Sequence, residues 1–294
     1  MMAIAMTGSG LGIVFFWPLA HQMINAWGWR AGYISFAIIL AVGACIGGLL
    51  LKRDPESAGT YPDGIEINEN ELEAREDFLS RMERWSVREA LKTRSWWLLI
   101  GSQFYNLAVV GLIAHIITWG TLDLGIPQGT TVLIGSVAFV LAAVGGRLFG
   151  GFISDWYISR FGVSRKPILY FATLGVALGC FLSIGVGSAT SLTLVSLLIG
   201  FSYGCAMAVF PTYLGDLFGV ANIPVLFGVM AFFIAGFAGL GPTLFGLIHD
   251  ATGTYNLAFL TIAPLCIVSM VCLVFLKPPT RAVRGGGQHM QGPG

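Results

Sequence analysis

The stretch AVGGRLFGGFISD, residues 143–155, places one arginine and one aspartate in an otherwise apolar and glycine-rich segment. Arg147 lies eight residues before Asp155, which is about 12 Å along a helix. A soluble helix and a membrane helix would use such a pair differently. The composition of the whole chain indicates which solvent surrounds it.

The composition predicts that lipid surrounds most of the chain. Of its 294 residues, 55% are hydrophobic and 11% are charged, whereas soluble domains carry about 25% charged residues. The mean hydropathy is +0.79. The 40 glycines are typical of membrane helices, which approach one another at small residues. The five cysteines show no metal-binding spacing and predict packing residues.

Eight apolar runs are long enough to cross a hydrocarbon core of about 30 Å, which needs about 20 residues per helix. Most are separated by short turn sequences such as DLGIPQGT and HDATGTY. The pattern predicts an all-α, multi-pass membrane protein with about eight transmembrane helices. The predicted spans are 2–27, 30–51, 96–120, 130–153, 168–187, 190–215, 225–248 and 256–276.

Residues 52–94 form the one long polar segment between these runs. They contain eight of the 16 Lys and Arg residues and eleven of the 15 Asp and Glu residues. ENELEAREDFLSRMERW predicts an amphipathic helix outside the membrane, and SVRE (86–89) predicts a capping box that starts a short helix.

Positive charge predicts the orientation, since cytoplasmic loops are enriched in Lys and Arg. Fourteen basic residues fall on one side, in 52–94, 154–167 and the C-terminal tail, and Arg30 alone falls on the other. We therefore expect both termini in the cytoplasm and the helices in the plasma or inner membrane. The tail, residues 278–294, is expected to be disordered.

Several motifs resemble the major facilitator superfamily. MTGSGLGIVFFWPLA (6–20) and GWRAGYISFAIILAVGACIGGLLLKRDPE (28–56) are similar to its fifth and sixth helices, and WSVREALKTRSWWLL (85–99) to the start of its seventh. GGFISDWYISRFGVSRKP (150–167) resembles the loop motif after its eighth helix, and GLGPTLFGLIHDATGTY (239–255) the end of its eleventh.

The resemblance implies a domain organisation. That fold has twelve helices in two halves, so residues 1–51 would be the last two helices of the N-terminal half. Residues 52–94 would be the cytoplasmic linker, 95–277 the complete C-terminal half of six helices, and 278–294 the tail. The first four helices are expected to be missing.

Within the superfamily, the motifs are most similar to monocarboxylate transporters and oxalate/formate antiporters. In proton-coupled monocarboxylate carriers an aspartate lies one turn before the arginine, where this chain has Ala143. Oxalate antiporters carry a second cation in helix eleven, and this chain has none between Leu226 and Ile248. One arginine without a second cation favours a substrate with a single carboxylate.

Arg147 is the foremost candidate for binding a substrate. A charge within the membrane costs about 2.5 kcal/mol or more, so it usually faces a partner or a wet cavity. The planar guanidinium matches a carboxylate through two hydrogen bonds. The alternative is that Arg147 extends along the helix toward the interface or binds backbone carbonyls.

Further polar side chains lie within the predicted spans. Gln103 and Asn106 are three residues apart, share one helix face and have Tyr105 beside them; they line the cavity or hydrogen-bond between helices. Tyr203 could donate to a carboxylate. His115 is the candidate for proton coupling, because no Asp or Glu lies deep in a span.

Two further sets complete the prediction. A charged gate on the cytoplasmic side would use Gly151, Asp155, Arg160, Arg165 and Lys166, although a solvated basic loop would look the same. Close packing and kinks would come from small residues and prolines, namely Ala142, Gly146, Gly150, Gly241, Pro242 and Gly246, with Pro18 and Pro211.

The sequence thus predicts a secondary active transporter of a small organic anion, such as lactate, pyruvate or formate, working by alternating access. Its partners would be the carboxylate, membrane lipid and a coupled proton or counter-anion. The sequence predicts no enzyme, cofactor, catalytic residue, metal site or nucleic-acid partner. Two alternatives stay open: a truncated fragment that cannot transport, and a membrane scaffold or sensor that acts through residues 52–94.

Overall fold

In a computed structural model of the chain, the described residues are 2–50, 85–162, 164–219 and 223–279, with residues 2–11 and 13 described by their backbone alone. All regular structure in these ranges is helical, so the predicted all-α class is confirmed. The predicted amphipathic helix and the tail beyond residue 279 lie outside the described residues.

The helices are α1 Met2–Leu50, α2 Val87–Leu91, α3 Arg94–Gly101, α4 Tyr105–Thr118, α5 Gln128–Leu133, α6 Phe139–Phe161, α7 Lys166–Ser183, α8 Ala189–Phe218, α9 Ile223–Thr252 and α10 Asn256–Phe275, with π-helical turns at Trp119–Asp123 and Ile134–Ala138.

Seven helical segments in the described ranges are long and apolar enough to span a membrane. Neighbouring helices join to form two of them, Arg94–Asp123 and Gln128–Phe161, and the predicted spans from residue 96 onward each match one segment. Large apolar side chains such as Phe152, Phe171 and Phe232 are about 70% exposed or more. A hydrocarbon surrounding accounts for so much apolar surface.

The first segment contains two of the eight predicted passages. Val14–Leu50 is 37 residues long, about 55 Å as a straight helix and too long for one passage. Gly28, at φ +80° and ψ 164°, breaks the helix in a conformation that favours glycine. The rings of Phe16 and Phe36 are 5.9 Å apart, so α1 folds back on itself as two antiparallel segments.

Several helices extend beyond their predicted apolar runs. The loop predicted at 154–167 is mostly helix, because α6 continues to Phe161 and α7 begins at Lys166. Gly162, at φ +63°, ends α6 in the left-handed conformation. Hydropathy marks the hydrocarbon boundary, and a helix whose backbone is already hydrogen-bonded continues past it. The prediction placed the loop boundary too early for this reason.

The predicted capping box is confirmed at the start of α2. The backbone N–H of Glu89 donates to the Ser86 hydroxyl over 3.2 Å, and the backbone N–H of Ser86 donates to the Glu89 carboxylate over 2.9 Å. Both contacts satisfy donors that a helix start leaves open. The short α2 then leads into the span that begins with α3.

Glycines set the distance between α6 and α8, the pair of helices with the most extensive contact. A side chain added at Gly146 would collide with the backbone carbonyl of Phe201, and one at Gly150 would lie 2.8 Å from the Cα of Cys205. Gly200 and Gly204 face Phe139 and Ala143 of α6 in the same way. The predicted small-residue face of α6 therefore packs directly on the backbone of α8.

A second close approach joins α9 to α4. A side chain at Gly241 would meet the carbonyl of Leu107, and one at Gly111 would meet the ring of Phe245. Pro242 lies within α9 next to this contact. The helix bundle is thus held by backbone-to-backbone packing at two glycine-lined seams.

Two neighbouring glycines on α6 test this packing. Gly146→Ala should lower the thermal midpoint by several degrees, because α8 must move, and overpacking a well-packed core costs about 1–3 kcal/mol. Gly145→Ala is the matched control, since a side chain at Gly145 meets nothing within 4 Å. Thermal unfolding of both variants in the same detergent measures the difference. Equal midpoints for the two variants would contradict the packing.

Candidate functional site

Arg147 lies in the middle of the span Gln128–Phe161, on the seam between α6 and α8. Its side chain is half-buried, and its backbone N–H lies against Gly204, where an added side-chain carbon would be 2.9 Å away. Tyr203 immediately precedes Gly204 on α8, the residue that faces the Arg147 backbone. The glycine seam therefore brings the predicted arginine and one predicted tyrosine together.

Tyr105 continues this cluster onto α4. Its ring packs edge-on against the ring of Tyr203, with centroids 6.3 Å apart at 67°. Tyr105 is 2% exposed, so a polar hydroxyl is held deep in the bundle. The three side chains belong to α4, α6 and α8, and hence to three different spans.

Gln103 and Asn106 share one face, as the spacing predicted. The Asn106 amide donates to the Gln103 backbone carbonyl over 2.9 Å and approaches its side-chain oxygen at 3.4 Å. The Gln103 amide also donates to the Ser102 hydroxyl over 3.1 Å. Both side chains are buried, and their contacts lie within one turn of chain, so cavity lining stays a prediction.

The span that carries these residues is interrupted between α3 and α4, which the apolar pattern did not predict. Through residues 102–107 the backbone N–H groups of Gln103, Phe104, Asn106 and Leu107 bind the carbonyl three residues earlier instead of four. The N–H of Tyr105 donates to the Ser269 hydroxyl of α10 over 3.0 Å. Interrupted helices of this kind often mark binding sites or hinges in membrane proteins.

His115 occupies a fully hydrogen-bonded position near the opposite end of α4 from this interruption. Its Nε2 lies 3.0 Å from the carbonyl of Pro242, which can only accept, so Nε2 donates. Its Nδ1 lies 2.9 Å from the Tyr255 hydroxyl. His115 therefore joins the Pro242 region of α9 to the chain just before α10.

A second histidine that sequence reasoning missed extends this contact to the end of the bundle. His249 stacks on Tyr255 at 4.2 Å, and its Nε2 lies 3.4 Å from the Asp123 carboxylate. Asp123 also accepts the Tyr255 backbone N–H over 2.8 Å. We call His115, Asp123, His249 and Tyr255 the histidine cluster. Burial and the nearby carboxylates of Asp123 and Asp250 raise the pKa of Tyr255, so its hydroxyl stays protonated.

The opposite end of the bundle carries the predicted gate residues, and Asp216 of α8 belongs with them. Arg165 donates to Asp216 at 2.5 Å, to the Ser154 hydroxyl at 3.0 Å and to Asp155 at 3.5 Å. Asp155 is 78% exposed and Asp216 is 36% exposed. The predicted Arg165–Asp155 pair is present, but the shorter and more buried contact is with Asp216.

The other gate residues lie apart from this ion pair. Lys166 donates to the carbonyls of Val274 and Leu276 at 2.8 Å each, and so caps the end of α10. Arg160 is exposed on the last turn of α6, and Gly151 is half-buried beside Gly150. Gly246 faces His115, and a Cβ atom added at Gly246 would lie 3.6 Å from the imidazole ring. The roles of these residues in gating and kinking stay predictions.

Comparison with known proteins identifies the family to which these helices belong. The sequence profile of the Major Facilitator Superfamily matches residues 1–162 and 156–291. The chain belongs to the Major Facilitator Superfamily.

Individual relatives of this superfamily are similar at low identity. Monocarboxylate transporter 12 of Rattus norvegicus is 23% identical over 96% of this chain, and monocarboxylate transporter 13 of Bos taurus is 26% identical over 94%. The hexuronate transporter of Bacillus subtilis is 26% identical over 92%. The chain spans 60%, 59% and 64% of the lengths of these three relatives, respectively.

A crystal structure of a variant of the E. coli fucose:proton symporter is also similar in fold. The aligned region covers 87% of this chain and 58% of the symporter chain, at 20% identity and a TM-score of 0.49.

The two carboxylates around Arg165 give a first test of the site. Asp216→Asn should destabilise the protein more than Asp155→Asn, because Asp216 makes the shorter contact to a largely buried guanidinium. The expected loss is about 1–3 kcal/mol for Asp216→Asn and below about 1 kcal/mol for the exposed Asp155. Thermal unfolding in detergent compares them. A larger loss for Asp155→Asn would contradict this ranking.

The histidine cluster gives a second test. Tyr255→Phe removes the partner of His115 Nδ1 and should lower the free energy of unfolding by about 1 kcal/mol or more. Tyr33→Phe is the control, because Tyr33 is 73% exposed. The same thermal assay applies, and a Tyr255→Phe midpoint equal to that of Tyr33→Phe would show that the hydrogen bond contributes nothing.

Proposed function

We propose that this protein is a secondary active transporter of a small organic anion, with one carboxylate, that works by alternating access. Lactate, pyruvate and formate are substrates of the expected size and charge. Membership of the Major Facilitator Superfamily and the similarity to monocarboxylate transporters support transport as the activity. The single observation that best supports an anionic substrate is the position of Arg147 within the membrane span.

Arg147 is the only Lys or Arg in the described spans that lies away from both the span ends and the Gly28 bend. Such a charge is costly in hydrocarbon unless something compensates it. A guanidinium at this depth can bind a carboxylate substrate through the two-pronged geometry that it favours.

The neighbours of Arg147 suit the same ligand. Tyr203 follows the seam on α8 that faces Arg147, and the ring of Tyr105 on α4 packs against the ring of Tyr203. Phenol hydroxyls can donate to a carboxylate oxygen. Gln103 and Asn106 lie at the interruption between α3 and α4, where a shift of the chain would change the shape of the site.

Coupling to a proton would fall to His115 or to groups outside the described residues. His115 has one ring nitrogen donating to a carbonyl and the other facing a tyrosine hydroxyl. A protonated ring could keep both contacts by donating from both nitrogens. The histidine cluster is therefore compatible with a charged and an uncharged His115.

Orientation and domain organisation form part of the proposal. The positive-inside rule favours the Arg165 end in the cytoplasm, with both termini there, in the plasma or inner membrane. Residues 1–51 would belong to the N-terminal half, 52–94 to the linker and 95–277 to the C-terminal half. The substrate would bind near the midplane, where the two halves meet.

Substitution of Arg147 tests the substrate contact. Arg147→Lys keeps the charge but loses the planar fork, so uptake of the transported carboxylate should fall about tenfold or more. Arg88→Lys on α2 is the control, because Arg88 is exposed and belongs to none of the predicted sites. Labelled lactate, formate and oxalate uptake in proteoliposomes measures the effect. Uptake that is unchanged in Arg147→Lys would contradict recognition through two hydrogen bonds.

The same assay separates the proposal from its alternatives. This chain and the longest product of its gene are reconstituted in parallel. Uptake by the longer product alone would favour the reading of this chain as a transport-incompetent fragment. Absence of carboxylate uptake by either, together with binding of a soluble protein to residues 52–94, would favour a scaffold or sensor.

A further inference from the structure

A cavity of about 510 Å³ opens at the Arg165 end of the bundle, where the ends of four helices meet. We call it the basic cavity. It is far from Arg147 and involves none of the residues proposed to bind the transported anion. Its lining residues come from the end of α6, the turn before α7, the end of α8 and the chain after α10, and those that matter here are Ile158, Arg165, Lys166, Asp216, Leu276 and Lys277.

The charges around the basic cavity do not balance. Arg165 is paired with Asp216, so these two charges offset each other. Lys166 and Lys277 both line the cavity, and neither forms an ion pair with a carboxylate in the described ranges. Among the residues that line the cavity, positive charges thus exceed negative ones by two; Asp155, which also pairs with Arg165, does not line it.

Helix capping explains only one of the two lysines. Lys166 donates to the carbonyls of Val274 and Leu276, as a cation at a helix C-terminus does. The Lys277 side chain is exposed and makes no hydrogen bond that the described part of the chain supplies. An anion between the two ammonium groups would bind both.

The walls of the cavity indicate what kind of anion fits. Ile158 and Leu217 also line the cavity, so part of its wall is apolar, and the cavity lies where the spans end. A free inorganic anion gains nothing from apolar walls, whereas a lipid has a phosphate and an acyl chain to fill both parts. Basic pockets between transmembrane helices on the cytoplasmic side commonly bind acidic lipid headgroups.

We propose that the basic cavity is a binding site for the phosphate headgroup of an anionic phospholipid, held between Lys166 and Lys277. Anionic lipid is concentrated in the cytoplasmic leaflet, the leaflet that the proposed orientation gives to this end of the bundle. Lipid binding at this site can be measured without a known substrate.

The experiment compares lipid binding by the purified protein and its variants. Native mass spectrometry counts the phosphatidylglycerol that is retained after exchange from mixed phosphatidylglycerol and phosphatidylcholine vesicles. Lys277→Gln should weaken phosphatidylglycerol binding about fivefold, the factor expected for one basic residue at a membrane surface. Lys277→Arg should restore binding, because the charge returns.

Lys92→Gln is the matched control, since Lys92 is exposed at the same end of the bundle but outside the cavity. It should retain phosphatidylglycerol like the unmodified protein. If Lys277→Gln and Lys92→Gln retained equal amounts of phosphatidylglycerol, the proposed site would be wrong. Such a result would show that basic residues at this end attract the lipid without a specific site. Thermal unfolding in phosphatidylcholine alone checks that both variants fold.

A separate arm distinguishes lipid from free phosphate. Inorganic phosphate is added to the phosphatidylglycerol-loaded protein at increasing concentration. Retention of the lipid supports a headgroup site that also uses the apolar wall. Displacement by inorganic phosphate at concentrations comparable to those of the lipid would overturn the assignment to phospholipid. Because uptake is not measured, failure here leaves the proposed transport activity unaffected.

Discussion

The backbone of α8 lies so close to α6 that the carbonyl of Phe201 fills the place of a side chain at Gly146. This contact positions much of the remaining structure. The seam continues through Gly150, Gly200 and Gly204, and it holds the Arg147 backbone against Gly204, which follows Tyr203. In a membrane, apolar side chains gain little from leaving lipid for protein, so packing at small residues carries much of the association between helices.

The same solvent explains how the polar groups inside the bundle are arranged. Water is absent from the hydrocarbon core, so every backbone and side-chain donor needs a partner within the protein. Ser269 accepts the N–H that the interruption before Tyr105 releases, and His115 binds both Pro242 and Tyr255. These contacts cross between helices: the first joins the start of α4 to α10, and the other two join α4 to α9 and to the chain before α10.

The two ends of the bundle are built from different chemistry. At one end, Arg165 joins α6 to α8 through Ser154 and Asp216, and Lys166 holds the end of α10. At the other end, His249 and Tyr255 join α9 to Asp123 at the end of the α4 span. The proposed alternating-access cycle would require contacts that change at both ends, and these two sets would be candidates for them.

Hydropathy and charge alone determined the membrane class, the positions of the spans from residue 96 onward and the identity of the central arginine. A run of apolar residues must be helical in lipid, and a lone charge in such a run is visible without coordinates. The shared face of Gln103 and Asn106 and the capping box at Ser86 also followed from spacing, since both are contacts within one turn. Only the tertiary structure revealed the pairing of Arg165 with Asp216 over Asp155, the interruption before Tyr105, and the contacts of His249 with Asp123 and Tyr255. Those partners lie 51 residues apart for Arg165 and Asp216 and 140 apart for His115 and Tyr255, and no local pattern records which distant helix ends meet.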